Sequence, residues 1–221
     1  WDTSNVSQMV SMFSFYKGYD SVKSNPNISD WDVSNVHNFA SMFSKNSGQS
    51  SDLSNWNTSS ATNMSSMFSE SSAASNSNLL YKGNGIWDTS NVTTFNLCFG
   101  YGGSVGTHGV YNWKTDSATS MYGMFLKSTS MFNLLTNDLD HLNTKTETVG
   151  SESYTSWNIG NVTTLESFLS SATASSLDLD FTNWDTSNVT SIKELMYDNN
   201  PYIGAPSMDR DLSGWDIGNL T

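Results

Sequence analysis

Cysteine and histidine carry chemistry most readily, and this chain of 221 residues has one of the first and three of the second. Cys98 would act as a nucleophile only with a base beside it. It stands where other units of the chain place Met, which reads as a packing position. His37 falls on a row of Ser and Thr, His108 lies in the glycine-rich stretch Gly100 to Gly109, and His141 sits beside Asp138 and Asp140. No Ser–His–Asp or Cys–His arrangement assembles from them, so the chain is expected not to be an enzyme. Three carboxylate pairs remain: Asp138/Asp140, Asp178/Asp180 and Asp209/Asp211. Calcium takes several oxygens from a shaped loop, and no Asp-x-[Asp/Asn]-x-[Asp/Asn]-Gly motif is present. These pairs read as a solvated acidic edge, with no metal and no cofactor expected.

Tyrosine suits recognition, because it gives a large contact area at low entropy cost. Tyr16, Tyr19, Tyr81, Tyr101, Tyr111, Tyr197 and Tyr202 fall in the stretches 14–27, 70–85, 100–112 and 197–210. Repeat proteins commonly place variable loops on one binding face. The seven tyrosines are therefore candidate ligand contacts along one edge. The alternative, that they only cover a flank, stands beside it.

Charge narrows the partners. Net charge is -12 and the sequence pI is about 4.3. Nucleic acid needs clustered Lys and Arg, and the nine here are scattered. An anionic membrane surface is disfavoured for the same reason. No apolar run approaches the ~20 residues that span a bilayer. One cysteine forms no intrachain disulfide. An aromatic content of 13% argues for a packed core, despite the Ser- and Asn-rich composition.

That core must come from an internal repeat. Trp1, Trp31, Trp56, Trp87, Trp113, Trp157, Trp184 and Trp215 head eight units. With each Trp at position 0, position +5 is always Val, Ala or Leu (Val6 to Leu220). Position +8 runs Met9, Phe39, Met64, Phe95, Met121, Leu165, Ile192. Position +11 runs Met12, Met42, Met67, Cys98, Met124, Phe168, Leu195. Position +12 runs Phe13, Phe43, Phe68, Phe99, Phe125, Leu169, Met196, and position -3 is usually apolar, from Ile28 to Leu212. The i, i+3, i+4 spacing predicts a short helix or 3₁₀ turn in each unit. The alternation Leu177-Asp178-Leu179-Asp180-Phe181 predicts a strand before it. Position +4 is Asn in six units and Ser in two, and +6 is Ser or Thr except at His37. Short polar side chains at these places are expected to hold stacked turns in register, and Asp at +1 to close an Asx-turn. The Asn-x-Ser/Thr triplets at Asn5, Asn91, Asn161, Asn188 and Asn219 follow from the same ladder. They need no glycan to explain them, and a buried Asn would be a poor acceptor.

The runs Trp31 to Phe43 (WDVSNVHNFASMF) and Asp52 to Phe68 (DLSNWNTSSATNMSSMF) resemble the BspA-like leucine-rich-repeat surface proteins of bacteria. The likeness extends over essentially the whole chain. It implies a cell-surface or cell-wall location outside the cell and a role in adhesion or recognition. The partner would be a protein or glycan on a host or neighbouring surface. A structural spacer or filament-forming segment, bound only to further copies or domains of the same protein, is the alternative. The expected fold is an α/β repeat: a right-handed, leucine-rich-repeat-like solenoid of about eight coils, each a short strand plus a short helical turn. Residues 1–221 are expected to be one domain, cut from a longer array because the terminal units lack caps. The 44-residue interval between Trp113 and Trp157 marks residues 126–156 as an insertion or a decayed repeat. In the second reading, which is preferred, Leu142 takes the place of a Trp and Leu139 sits at -3.

Overall fold

The computed structural model describes residues 1–15, 26–74, 77, 79, 87–102, 110–128, 142–172, 181–197 and 212–221. Within them the units lie parallel, one on the next. Single parallel bridges join position +7 of seven units: Gln8, Asn38, Asn63, Thr94, Ser120, Thr164 and Ser191. The N–H groups at +8, +10, +12 and +14 donate to the carbonyls at +7, +9, +11 and +13 of the following unit. In the second unit these are Phe39 to Asn63, Ser41 to Ser65, Phe43 to Met67 and Lys45 to Ser69, at 2.8–3.0 Å. The intervening N–H groups turn inward, as Met42 donates to Phe39, Ser44 to Ser41 and Asn46 to Phe43. The remaining amide, at +9, is met by a side chain: Ala40 by Asn38 Oδ1 and Ser65 by Asn63 Oδ1. In the second unit every amide from Phe39 to Asn46 thus has an acceptor, as a buried backbone requires.

This arrangement overturns the expected α/β coil. No helix occurs among the described residues, and the only strands there are an antiparallel pair, β1 (Lys145–Val149) and β2 (Glu152–Ser156). The segment +8 to +15 is instead a train of overlapping i→i+3 turns. Its cause is a left-handed backbone at two places per unit. Position +10 has φ of 54–57° at Ser11, Ser41, Ser66, Leu97, Gly123, Ser167 and Glu194. Position +14 has φ of 51–61° at Lys45, Glu70, Tyr101, Lys127 and Ser171. A helix would consume its own N–H groups at i-4. The left-handed residues turn alternate amides out along the stack instead. The alternating run before Trp184 lies outside the described residues except for Phe181.

The apolar rows do form the core. Trp56, Trp87, Trp113 and Trp157 are fully buried, and so are Phe39, Phe43, Phe68, Phe95, Phe99, Phe125 and Phe168. At +12 the rings of Phe13, Phe43, Phe68, Phe99 and Phe125 stack with centroids 5.5–5.8 Å apart and planes within 8°. In the sixth unit the ring moves to +11, so Phe168 meets Phe125 edge-on at 5.2 Å. A buried indole N–H needs a partner. Trp56, Trp87, Trp157 and Trp215 donate to the -3 carbonyl of the preceding unit, at Ile28, Leu53, Val110 and Phe181.

The same bond explains the long interval. Trp184 donates to the carbonyl of Leu142 at 2.6 Å, so Leu142 fills the -3 place of the sixth unit, not a Trp's place. The hairpin Lys145–Ser156 is inserted between that place and Trp157. Its two ends are held together by Thr144 Oγ1 donating to the Trp157 carbonyl at 2.7 Å. Tyr154, at -3 by counting alone, packs on the core and donates its hydroxyl to the Asn112 carbonyl.

One glycine is required by its neighbour. Gly123 holds the left-handed +10 place, where a Cβ would stand 2.6 Å from Leu97 Cδ2. Five of the seven +10 places hold Ser or Glu, so the backbone alone does not demand glycine. Gly123→Ser is expected to cost about 2–3 kcal/mol, from the left-handed side chain plus the overlap. Combined with Leu97→Ser, much of that loss should vanish, a coupling of about 1 kcal/mol or more in a denaturation cycle. Additive losses would show that the Leu97 overlap is not the cause.

Candidate functional site

Among the described residues the rungs of the stack end at positions +13 and +14. The N–H of Phe15 bonds to Ser44, Glu70 to Gly100, Tyr101 to Leu126 and Ser171 to Tyr197. These last rungs lie along one edge. Tyr101 and Tyr197 are the candidate tyrosines this brings together along it, and both are exposed, at 44% and 53%. Tyr111 lies elsewhere, half-buried under the hairpin with Lys145 Nζ 6.0 Å from its ring centre. Tyr16, Tyr19, Tyr81 and Tyr202 lie outside the described residues.

The edge has its own side-chain order, which counting did not reveal. Position +14 runs Phe15, Lys45, Glu70, Tyr101, Lys127 and Ser171. Neighbours on this row pair: Lys45 Nζ lies 3.6 Å from Glu70 Oε1, and Lys127 Nζ lies 5.8 Å from the Tyr101 ring centre. Position +9 has a further cross-unit pair, Lys193 with Glu166 at 3.7 Å. Exposed pairs of this kind add at most about 1 kcal/mol each. Their effect is to hold long side chains in one orientation beside the tyrosines.

A second surface is fully periodic. Position +6 is exposed in all eight units, and position +4 is exposed wherever it is Asn. The Asn amides donate across units to the +3 carbonyl: Asn35 to Ser4, Asn91 to Ser59, Asn161 to Asp116, Asn188 to Gly160 and Asn219 to Ser187, at 2.6–2.8 Å. The Thr hydroxyls of 62, 93, 119, 163, 190 and 221 donate to the +6 carbonyl behind them. His37 belongs to this row: its backbone N–H donates to the Ser7 carbonyl, and its own carbonyl accepts from Thr62. These asparagines are thus exposed, which removes burial as a reason against modification. The bonded amide nitrogen remains as the reason for the motif.

Asp at +1 closes the expected Asx-turn. Asp2, Asp32 and Asp185 each accept the backbone N–H of the Ser at +3, at 3.0–3.1 Å. The Ser hydroxyl, then that N–H, hold these three carboxyls below the usual Asp range. A depressed carboxyl stabilises the fold fully above the ordinary Asp value of about 4, and that support fades as pH falls through the depressed values. Ser34→Ala and Ser187→Ala should move the carbon chemical-shift titrations of Asp32 and Asp185 back up toward the ordinary value. Unmoved titrations would remove the hydroxyl as the cause.

Cys98 is fully buried, and desolvation raises its thiol far above the ordinary value. That is the opposite of an activated nucleophile. The folded chain should resist alkylation at pH 8 and react once unfolded; fast labelling in the native state would contradict the burial. His108, His141 and the three Asp pairs lie outside the described residues, except that none of the described residues forms a group of three metal-ligating side chains.

A family model described as "Mycoplasma protein of unknown function, DUF285" matches the chain three times in tandem, over residues 1–82, 71–151 and 137–221. The tandem matches agree with a repeat protein. No curated protein and no solved structure matches the chain.

Proposed function

The chain belongs to the Mycoplasma DUF285 family of unknown function, and from that premise we propose that it is a non-catalytic recognition module of a cell-surface protein. Its partner is a protein or glycan on another surface, met through the loop-bearing edge. The observation that carries this reading is the exposure of Tyr101 and Tyr197 on the edge where the rungs of a regular stack end. A scaffold that repeats while its loops vary is the usual division of labour in repeat binders. The motif likeness to BspA-like surface proteins supports an extracellular location and an adhesive role, without the leucine-rich-repeat coil. The net charge of -12 supports a partner that is not nucleic acid.

Labelled chain should bind intact host or neighbouring cells saturably. Tyr101→Ala with Tyr197→Ala should weaken it about tenfold or more, since exposed aromatic anchors dominate such contacts. The far-ultraviolet spectrum should stay unchanged. Undiminished binding by the double variant would sink the edge as the contact. The spacer reading is favoured by one observation, the unbroken ladder through every described unit. It predicts no saturable binding by any variant, and a reach that scales with the number of units.

A further inference from the structure

The Asn/Thr face is a different surface from the loop edge, and its chemistry is lopsided. Each Asn amide and each Thr hydroxyl on it sends a donor to the neighbouring unit's backbone. No bond to Oδ1 of Asn35, Asn91, Asn161, Asn188 or Asn219 exists among the described residues, so these oxygens face solvent as acceptors. The flanking +1 row adds more. Asp2, Asp32, Asp88 and Asp185 each accept the N–H of the Ser at +3 through Oδ1, and Asp2, Asp32 and Asp185 are exposed. The rows +4 and +6 contain no Lys, Arg, Asp or Glu, and His37 is their one titratable member. The face therefore offers an array of neutral acceptors, preorganised by the ladder and repeating with the stack, about 4.8 Å per unit.

We propose that this strip docks an extended, uncharged polysaccharide laid along the stack. A chain of sugars brings hydroxyl donors at a regular spacing, which is what the acceptor rows lack. A polyanion is excluded by the flanking aspartates and the net charge of -12. A fixed array binds a regular polymer without reordering its own side chains, which lowers the entropy cost of binding. Because a long polymer meets several units at once, affinity should grow with polymer length through many weak contacts.

The test uses the whole chain with insoluble cellulose and chitin as probes, and amylose as a coiled control. The chain is expected to co-sediment with an extended polymer more than with amylose, at 0.5 M salt as at low salt. Thr119→Arg with Thr163→Arg puts bulk on the strip and leaves every Asn Oδ1 in place. It should weaken retention about tenfold, as a blocked contact centre does. If that double variant loses its native spectrum, Thr163→Arg alone carries the test. Failure to retain the native chain on either extended polymer overturns the proposal, as does equal retention of the arginine variants. Retention that salt abolishes also overturns it, because it marks an ionic contact through the Asp row.

Discussion

Half of the eight amides from +8 to +15 have no acceptor inside their own unit, and the rest of the structure follows from that. An unsatisfied buried N–H costs roughly 1–3 kcal/mol, so a single unit cannot persist alone. The following unit supplies the carbonyls, and it does so only in one register. Phe39 to Asn63 and Phe43 to Met67 are rungs of the same ladder, and slipping by a residue would break all of them together. The side chains then repeat the backbone's logic. Asn at +4 and Thr at +6 reach across to carbonyls of the preceding unit, and the indole of each buried Trp does the same inside the core.

The core was legible in the sequence because side-chain spacing is a property of the repeat, whatever the backbone does. The residues at +5, +8, +11 and +12 in the third, fourth and fifth units are all fully buried. The backbone that carries them was not legible. Apolar residues at i, i+3 and i+4 suit an α-helix, but overlapping i→i+3 turns bring the same side chains inward. What separates the two is the sign of φ at +10 and +14. There the chain uses Ser, Leu, Glu, Lys and Tyr, and Gly only at Gly123, so the usual marker of a left-handed residue is missing.

The tyrosines were legible as a type and only partly as a place. Counting grouped Tyr101 with Tyr111 in one stretch. The ladder puts Tyr101 on the edge with Tyr197, while the hairpin draws Tyr111 toward Lys145. The Asn/Thr rows were legible as a register device. Their exposure was not, because a hydrogen bond to a neighbour's backbone looks the same in sequence whether the side chain is covered or faces water.

The joint between Thr144 and Trp157 shows how the fold tolerates novelty. The hairpin Lys145–Ser156 enters and leaves there while Leu142 keeps its bond to Trp184, so the stack registers nothing of the insertion. A single hydrogen bond between the two ends closes the socket. In evolutionary terms this is a grafting point. A segment whose ends return to the same spacing, and which covers the core as Tyr154 does, can replace the hairpin, because the bonds of Leu142 to Trp184 and of Trp157 to Val110 set the frame on either side.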